Sequence, residues 1–227
     1  MKDVWVISLG GSRIVPDDVD DEFLLGFKKL LDSHRDKKFV VVTGGGSTAR
    51  RYIGALKKLG KGTKEQSMEG IAVTRLHAGF MARIFGGVAN EDVPFNMKKV
   101  KRLLGRNRVV FCGALRYRAK NTSDGTAAKL AGYLGCSFIN LTNVRGLYSS
   151  NPKKNKRARF ISKIGWDDFA KMAGKVKFKA GQHFVLDQSA AKVIKKKRIV
   201  TYIVGSLSAI DSVLRGSKKI NGTRVGG

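Results

Sequence analysis

Glycine-rich segments with polar and basic neighbours follow three of the apolar runs in this 227-residue chain. They span residues 8–13, 43–51 and 113–125, and the second and third lead into helical patterns. Glycine lets the backbone approach a ligand closely, and unpaired N–H groups at the start of a helix attract anions. One such loop is usually only a turn. Three at equivalent strand ends, two of them beside basic residues, predict a phosphate-binding site.

Better-known nucleotide-binding signatures are missing. The chain contains neither the P-loop spacing G-x-x-x-x-G-K-[ST] nor the Rossmann spacing G-x-G-x-x-G, and it lacks the complete H-R-D and D-F-G set of protein kinases. His34, His77 and His183 have no metal-ligand spacing, and we interpret them as structural. The site is therefore expected to bind anions without any of these motifs.

Short apolar runs, predicted to be buried strands, alternate with amphipathic helical patterns. The strands are predicted at residues 4–9, 39–43, 109–112, 137–141 and 201–204, and the helices at 22–31, 48–59, 68–85, 126–134 and 189–196. This alternation predicts an α/β fold, with a mostly parallel central sheet and helices on both faces in a three-layer αβα sandwich. Strand ends then meet at one edge of the sheet, where open α/β sheets bind ligands. Residues 218–227 are expected to add a short strand and a polar tail.

The charge of the chain is strongly positive, with 45 Lys and Arg against 17 Asp and Glu and a net charge of +28. A field of this sign attracts polyanions. It fits a nucleic-acid surface, a polyphosphate substrate or merely solvated basic faces. The basic runs 153–157 and 195–198 contain no aromatic residue on which bases could stack, so they do not favour RNA binding.

Location is indicated by what the sequence lacks. No run of 18 apolar residues occurs, so no membrane-spanning helix is expected. The start of the chain reads as a strand and not as a signal peptide. Cys112 and Cys136 lie in apolar runs and are expected to be core residues in a reducing compartment. We therefore expect a cytoplasmic protein.

The order of the polar motifs resembles that of the amino-acid kinase superfamily, and within it most resembles the archaeal uridylate (UMP) kinases. The similar segments are residues 10–12, 44–53, 122–124, 142–148 and 180–192. The resemblance covers nearly the whole chain. It implies transfer of the ATP γ-phosphate onto UMP in pyrimidine biosynthesis, with Mg²⁺, by a homohexamer built from dimers.

The resemblance also implies roles for individual residues. Catalytic roles fall to Asp124, which would order the site, and to Arg13, which could supply a charge that the first loop lacks. The ATP-side residues would be Gly10, Gly11, Ser12, Gly46, Arg50, Thr142, Asn143, Tyr148 and Asn151. The acceptor side would be formed by Gly45, Ser67, Thr122 and Ser123.

Three of these residues have a second interpretation. Tyr148 could instead be an aromatic residue that only packs at the edge of the fold. Asp124 precedes a helix and could instead be its N-terminal cap. Arg50 lies near a helix N-terminus, where a cation is unfavourable unless a bound anion compensates it, and this favours a phosphate contact.

The chain departs from the family pattern at several positions. Ser8 replaces a frequent lysine, and Ser67 replaces an aspartate that holds the ribose hydroxyls. Arg145 replaces a usual aspartate, and Asn151 stands where an acidic residue often faces ATP. Residues 115–120 are also more basic than the loop expected there.

These departures leave other functions open. The acceptor could be isopentenyl phosphate or another small phosphate, or the protein could bind nucleotide or RNA without turnover. A basic connector at residues 151–159 is the candidate lobe boundary. We expect an acceptor-binding lobe over 1–150 and an ATP-side lobe over 151–227, which share one continuous sheet.

Overall fold

The computed structural model describes residues 3–117, 122–152, 155–175 and 186–227, and its centre is a continuous β-sheet. The strands are β1 (Val4–Leu9), β2 (Lys38–Thr43), β3 (Val109–Cys112), β4 (Ser137–Leu141), β5 (Leu147–Tyr148), β6 (Phe160–Ile161), β7 (Lys163–Ile164), β8 (Thr201–Val204) and β9 (Gly222–Val225). Seven of these form the main sheet in the order β3-β2-β1-β4-β8-β9-β7, and β5 pairs with β6 in a separate ribbon. The main sheet contains strands from both predicted lobes.

The sheet is parallel from β3 to β8, and β9 runs antiparallel to β8. In β1 the residues Val6, Ile7 and Leu9 have no exposed surface. Strands buried on both faces are apolar along their whole length because helices cover each side. The parallel register places the carboxyl ends of β1, β2 and β4 side by side, at Leu9, Thr43 and Leu141.

Helices cover both faces of the sheet. They are α1 (Gly11–Ile14), α2 (Asp21–Ser33), α3 (Gly46–Lys58), α4 (Thr63–Phe85), α5 (Met97–Arg106), α6 (Ser123–Leu134), α7 (Trp166–Lys175), α8 (Gln188–Lys197) and α9 (Leu207–Leu214). α5, α6, α7 and α8 pack into one apolar core, and α2, α4 and α9 pack into another on the opposite face. The predicted three-layer αβα sandwich is confirmed.

Some boundaries differ from the sequence-based prediction. α3 was expected to begin at residue 48 after a capping Ser or Thr, but it begins at Gly46 with Gly45 at its N-cap. The Ser47 hydroxyl instead donates to the carbonyl oxygens of Val15 and Pro16, at 2.7 and 2.8 Å. α4 begins at Thr63, five residues before the predicted start.

The helices α1, α5, α7 and α9 and the strands β5 to β7 were not predicted. Each of these strands has only two residues, too few to show a period. α5 buries only Val100 and Leu104 fully, so its apolar period is weak beside its charged residues.

Parts of several predictions lie outside the described residues. They are the section 118–121 of the third glycine-rich segment, Lys153 and Lys154 of a basic run, His183, and residues 180–185 of the last similar segment. Within the described ranges, no helix combines the length and apolarity needed to cross a membrane.

The Phe111 side chain tests the importance of the α4-side core, because it is fully buried and its ring centroid lies 4.8 Å from that of Phe85. Phe111→Ala should lower the free energy of unfolding by about 3–5 kcal/mol, since truncation removes apolar contacts and leaves a cavity. Denaturant titration measures this change. Leu25→Ala, at a position 55% exposed, is the matched control and should change stability by less than about 0.5 kcal/mol. Equal losses in the two variants would contradict the assignment of this core.

Candidate active site

A cleft of about 940 Å³ opens at the carboxyl ends of β1, β2 and β4. Its walls come from residues 10–13 after β1, residues 44–46 after β2, and residues 140–144 and 146–152 at and after the end of β4. Ser123 and Asp124, at the start of α6, complete the inner end. The parallel register brings these segments together, so residues more than 100 positions apart in the chain share one cavity.

The first two glycine-rich loops touch through their backbones. A Cβ on Gly11 would overlap Gly44 O and Gly46 N, and a Cβ on Gly46 would overlap the backbone of Gly11 and Ser12. Gly46 also has a φ of 58°, a left-handed conformation that side-chain-bearing residues rarely adopt. Both positions therefore require glycine, and the two loops form one continuous backbone surface.

Buried residues of α4 hold the second loop from behind. His77 Nδ1 lies 2.8 Å from Gly44 O, and a nitrogen beside a carbonyl must carry the proton and donate it. The Thr43 hydroxyl donates to Thr74 O at 2.8 Å, and the Thr74 hydroxyl accepts from Ala114 N at 2.9 Å. These contacts anchor the ends of β2 and β3 on α4. Sequence spacing gave no sign of them because they join distant segments.

Asp124 is the centre of a partly buried polar network at the start of α6. The Ser8 hydroxyl donates to its Oδ1 at 2.6 Å. Burial is the main cause that raises the pKa of Asp124 to about 6; the hydrogen bond from Ser8 opposes this shift, and the Asp187 charge adds to it. In the cleft as it stands, no lysine or arginine neutralises this carboxylate through a salt bridge within the described residues.

Thr122, and not Asp124, is the N-cap of α6. Its hydroxyl accepts from Gly125 N at 3.0 Å and donates to the Asp187 carboxylate. Asp187 in turn caps α8 by accepting from Ala190 N at 2.9 Å. The capping alternative for Asp124 is therefore wrong, because Asp124 lies inside the first turn of α6.

Arg13 ties three strand ends together. Its Nη2 donates to Thr142 O at 3.0 Å, after β4, and to Gly205 O at 2.9 Å, after β8. Its Nε is buried and has no hydrogen-bond partner among the described residues. Arg13 thus belongs to the cleft lining, and its guanidinium group fixes the loop that follows β1.

Most of the site residues predicted from the sequence line this one cleft. The lining includes Gly10, Gly11, Ser12, Arg13, Gly45, Gly46, Arg50, Ser123, Asp124, Thr142, Asn143, Tyr148 and Asn151. Thr122 lies one residue outside it, and its hydroxyl is occupied by the cap described above. Ser67 is not part of the lining, and its hydroxyl donates to Thr63 O within α4 at 2.7 Å.

The outer end of the cleft is partly apolar. The Tyr148 ring packs edge-on against Phe160, with centroids 5.5 Å apart, and Ile161 and Met172 complete this wall. Lys175 adds a cation at the end of α7. Ile161, Met172 and Lys175 were not predicted, because their contribution depends on how β6 and α7 pack beside the loop after β4.

Metal-ligand clusters are absent from the described residues, where no three His, Cys, Asp or Glu side chains are grouped to hold an ion. Asp124 is the only carboxylate that lines the cleft in the described chain. One carboxylate fits Mg²⁺ that arrives with a polyphosphate, because Mg²⁺ commonly takes one or two carboxylates and completes its shell with phosphates and water.

Comparisons with known proteins agree with this geometry. The amino acid kinase family matches residues 3–205. Uridylate kinase from Thermococcus gammatolerans is 34% identical over 224 residues, covering 97% of this chain and 98% of that protein. The crystal structure of uridylate kinase from Archaeoglobus fulgidus superposes with a TM-score of 0.86 at 32% identity, covering 99% of this chain and all of that one. UMP kinase from Bacillus anthracis shares the fold with a TM-score of 0.80 at 17% identity, over 99% of this chain and 96% of that one.

The sheet order, the glycine loops and the cleft define an αβα phosphate-binding fold. The chain belongs to the amino acid kinase family. The resemblance inferred from the motifs is confirmed.

The contact between the glycine loops can be tested with Gly11→Ala. The added methyl group has no space beside Gly44 and Gly46, so one loop must move. We expect a loss of stability of about 1–3 kcal/mol and at least a tenfold loss of ATP affinity, measured by denaturant titration and calorimetry. Gly54→Ala is the control, since it lies within α3 with open space around it and should raise stability by about 0.5–1 kcal/mol. Unchanged ATP affinity in Gly11→Ala would contradict the inference that the two loops form one continuous binding surface.

The raised pKa of Asp124 predicts a pH-dependent effect of Asp124→Asn. Between about pH 4 and 6 the folded protein holds a proton on Asp124 that the unfolded chain releases, so this carboxyl makes stability fall as pH rises. Asparagine is uncharged, as the protonated carboxyl is, so the variant does not lose stability in this way as pH rises. The stability of Asp124→Asn relative to the unsubstituted protein should therefore increase by about 2 kcal/mol from pH 4.5 to pH 7.5.

Denaturant titration at the two pH values measures this difference. Asp168→Asn, at an exposed position in α7, is the control and should show the same difference from the unsubstituted protein at both pH values. A pH-independent difference for Asp124→Asn would mean that its carboxyl is already ionised at pH 4.5 in the folded state.

Proposed function

We propose that this protein transfers the γ-phosphate of ATP to UMP, forming UDP and ADP in pyrimidine nucleotide synthesis. The main support is the cleft in which the two glycine loops meet the N-terminus of α6. The relatives named uridylate kinase, at 34% and 32% identity over nearly the full chain, point to the same reaction.

The loops after β1 and β2 would hold the ATP phosphates. Gly10, Gly11 and Ser12 offer backbone N–H groups at the cleft wall, and Gly46 begins α3 beside them. Arg50 lines the same wall and forms no salt bridge with another described residue, which leaves its charge available for a phosphate.

The base of ATP would occupy the outer end of the cleft. Thr142, Asn143 and Tyr148 offer polar groups and an aromatic ring there, and Asn151 lies close by in the same lining. Ile161 and Met172 add apolar surface, which suits a flat purine ring.

The acceptor phosphate would lie between Gly45 and the start of α6. Ser123 lines the cleft at that point, and Thr122 fixes the helix start by capping it. A phosphate there would face the unpaired N–H groups and the positive end of the α6 dipole.

The transfer itself requires alignment and charge neutralisation more than acid–base chemistry. An oxygen of the UMP phosphate attacks the γ-phosphorus, the bond to the β,γ-bridging oxygen breaks, and the bridging oxygen leaves on ADP. The attacking oxygen is already ionised at neutral pH, so no strong base is needed. Backbone N–H groups of the two glycine loops, Arg50 and Arg13 would stabilise the spread of negative charge.

Mg²⁺ would neutralise phosphate charge when bound with ATP. Asp124 is the residue placed to hold it or its water shell, since it lines the cleft beside Ser8. A nearby cation would lower the pKa of this carboxyl and keep it ionised.

The lobes and the assembly are further parts of the proposal. Residues 1–150 would form the acceptor-side lobe and carry the phosphate-binding loops, and residues 151–227 would form the ATP-side lobe, which adds Ile161 and Met172 to the cleft. A homohexamer built from dimers would bury exposed apolar residues of α4, such as Leu76 and Met68, which are 64% and 47% exposed.

A coupled assay of ADP release with ATP and Mg²⁺ tests the activity against a panel of acceptors. We expect turnover with UMP and little with AMP, GMP or isopentenyl phosphate. Isopentenyl phosphate is included because Ser67 stands where the family pattern has an aspartate that holds the ribose hydroxyls, and Ser67 is outside the cleft lining. Asp124→Asn should lower kcat at least 100-fold, whereas Asp168→Asn should leave it within twofold.

The alternatives give distinct results in this assay. Preferred turnover of isopentenyl phosphate would replace UMP as acceptor and keep the kinase chemistry. ATP binding by calorimetry without ADP release from any acceptor would identify a nucleotide-binding protein that has lost catalysis.

A further inference from the structure

Positive charge is divided unevenly between the two faces of the sheet. Helices α5, α6 and α8 carry ten Lys and Arg, five on α5, one on α6 and four on α8, against a single acid, Asp124, which faces the cleft. Helices α2, α4 and α9 on the opposite face carry five Lys and Arg against six Asp and Glu. We call the surface of α5, α6 and α8, together with Arg198, the basic face.

The basic face is continuous across its three helices. Lys101 Nζ of α5 lies 6.0 Å from the centroid of the Tyr133 ring on α6. The Lys197 side chain of α8 packs against α6 at Gly132, where an added Cβ would lie 3.2 Å from Lys197 Cγ. Lys98 and Lys129 also line one shallow depression between α5 and α6. The cations therefore form one surface and not separate patches.

Few of these cations are neutralised within the protein. Among the described residues, Lys99 pairs with Asp92 at 3.6 Å, and Lys195 and Arg198 share Asp167 at 2.9 and 3.5 Å. The remaining exposed cations form no salt bridge with a described residue: Lys98, Lys101, Arg102, Arg106, Lys192, Lys196 and Lys197. Like charges at this density repel one another, and a polyanion that covers them removes the repulsion.

The shape of the basic face limits which polyanions can bind to it. Each helix has its apolar side buried in the core below, so none of the three projects from this surface as a separate element. A surface without a projecting element does not enter a B-DNA major groove, but it can contact phosphates and 2′-hydroxyls across the wide, shallow minor groove of A-form RNA. On these helices the exposed aromatic ring is Tyr133, and Lys101 lies beside it. Single strands usually need several stacking rings, which this face does not offer.

We propose that the basic face binds double-helical RNA through its phosphodiester backbone, without reading the base sequence. The cleft lies at the carboxyl ends of the strands and the basic face lies over one side of the sheet, so RNA binding does not depend on the proposed kinase reaction. Affinity should then fall steeply with salt, because each phosphate contact releases counterions.

Fluorescence anisotropy with a labelled 20-base-pair RNA duplex, over 50–400 mM KCl, tests this proposal on the full chain. The variant Lys101→Gln/Arg102→Gln/Lys196→Gln should lose at least tenfold in affinity at 100 mM KCl. The slope of log affinity against log salt should become shallower by about 2 to 3, at roughly 0.9 for each lost contact. The control Lys57→Gln/Lys58→Gln/Lys61→Gln removes the same charge from exposed positions on and just after α3, and should change affinity less than threefold.

Other results would overturn the proposal. Equal losses of RNA affinity in both variants would mean that binding depends on net charge and not on the basic face. No binding at 50 mM KCl would mean that the basic face does not bind double-helical RNA. Tighter binding of single-stranded RNA or of a DNA duplex of equal length would exclude double-helical RNA as the preferred partner. Displacement of the RNA by poly-glutamate at matched charge would assign the face to an acidic protein. ADP release by the two triple variants, measured in parallel, reports the kinase reaction separately and should be unchanged in both.

Discussion

The meeting of two backbones at Gly11 and Gly44–Gly46 is the constraint on which the site depends. The parallel register brings the carboxyl ends of β1 and β2 side by side, and the loops that follow them can touch only because neither carries a side chain at the contact. His77 and Thr74 of α4 then fix the second loop from the core side. The cleft is thus a property of the sheet edge as a whole, since no single loop could form it.

A second feature of the site follows from Ser8. With a hydroxyl in place of a lysine at this position, Asp124 receives a hydrogen bond but no salt bridge from a described residue, and burial then raises its pKa. Arg13 does not replace that lysine by direct contact, because its Nη2 donates to the carbonyl oxygens of Thr142 and Gly205. Its charge remains at the cleft wall while the group also holds the ends of β4 and β8 to the first loop. Within the described residues, Asp124 at the inner end of the cleft is therefore left without a cation that balances its charge.

The distribution of charge separates the two faces of the sandwich. Helices α5, α6 and α8 are strongly basic, whereas α2, α4 and α9 carry nearly balanced charge. Beside them, α7 has two Lys and two Asp, and α3 has four Lys and Arg and no acid. Core packing explains neither pattern, because both layers bury comparable apolar stripes beneath their charged sides. A net charge of +28 is more than phosphate binding in one cleft requires, and the basic face, with eleven Lys and Arg against Asp124, carries part of that excess.

The sequence alone determined five strands, the helices α2, α3, α4, α6 and α8 and the three glycine-rich segments, because apolar periodicity and glycine placement are local signals. It also determined the family, since the order of polar motifs survives in the linear chain. Tertiary structure alone decided what the polar side chains do. Ser47 bonds to Val15 and Pro16 instead of capping α3, Thr122 caps α6, and Ile161 and Met172 complete the cleft. Each of these depends on partners far along the chain, and hydrogen bonds with such partners leave no periodic trace in the sequence.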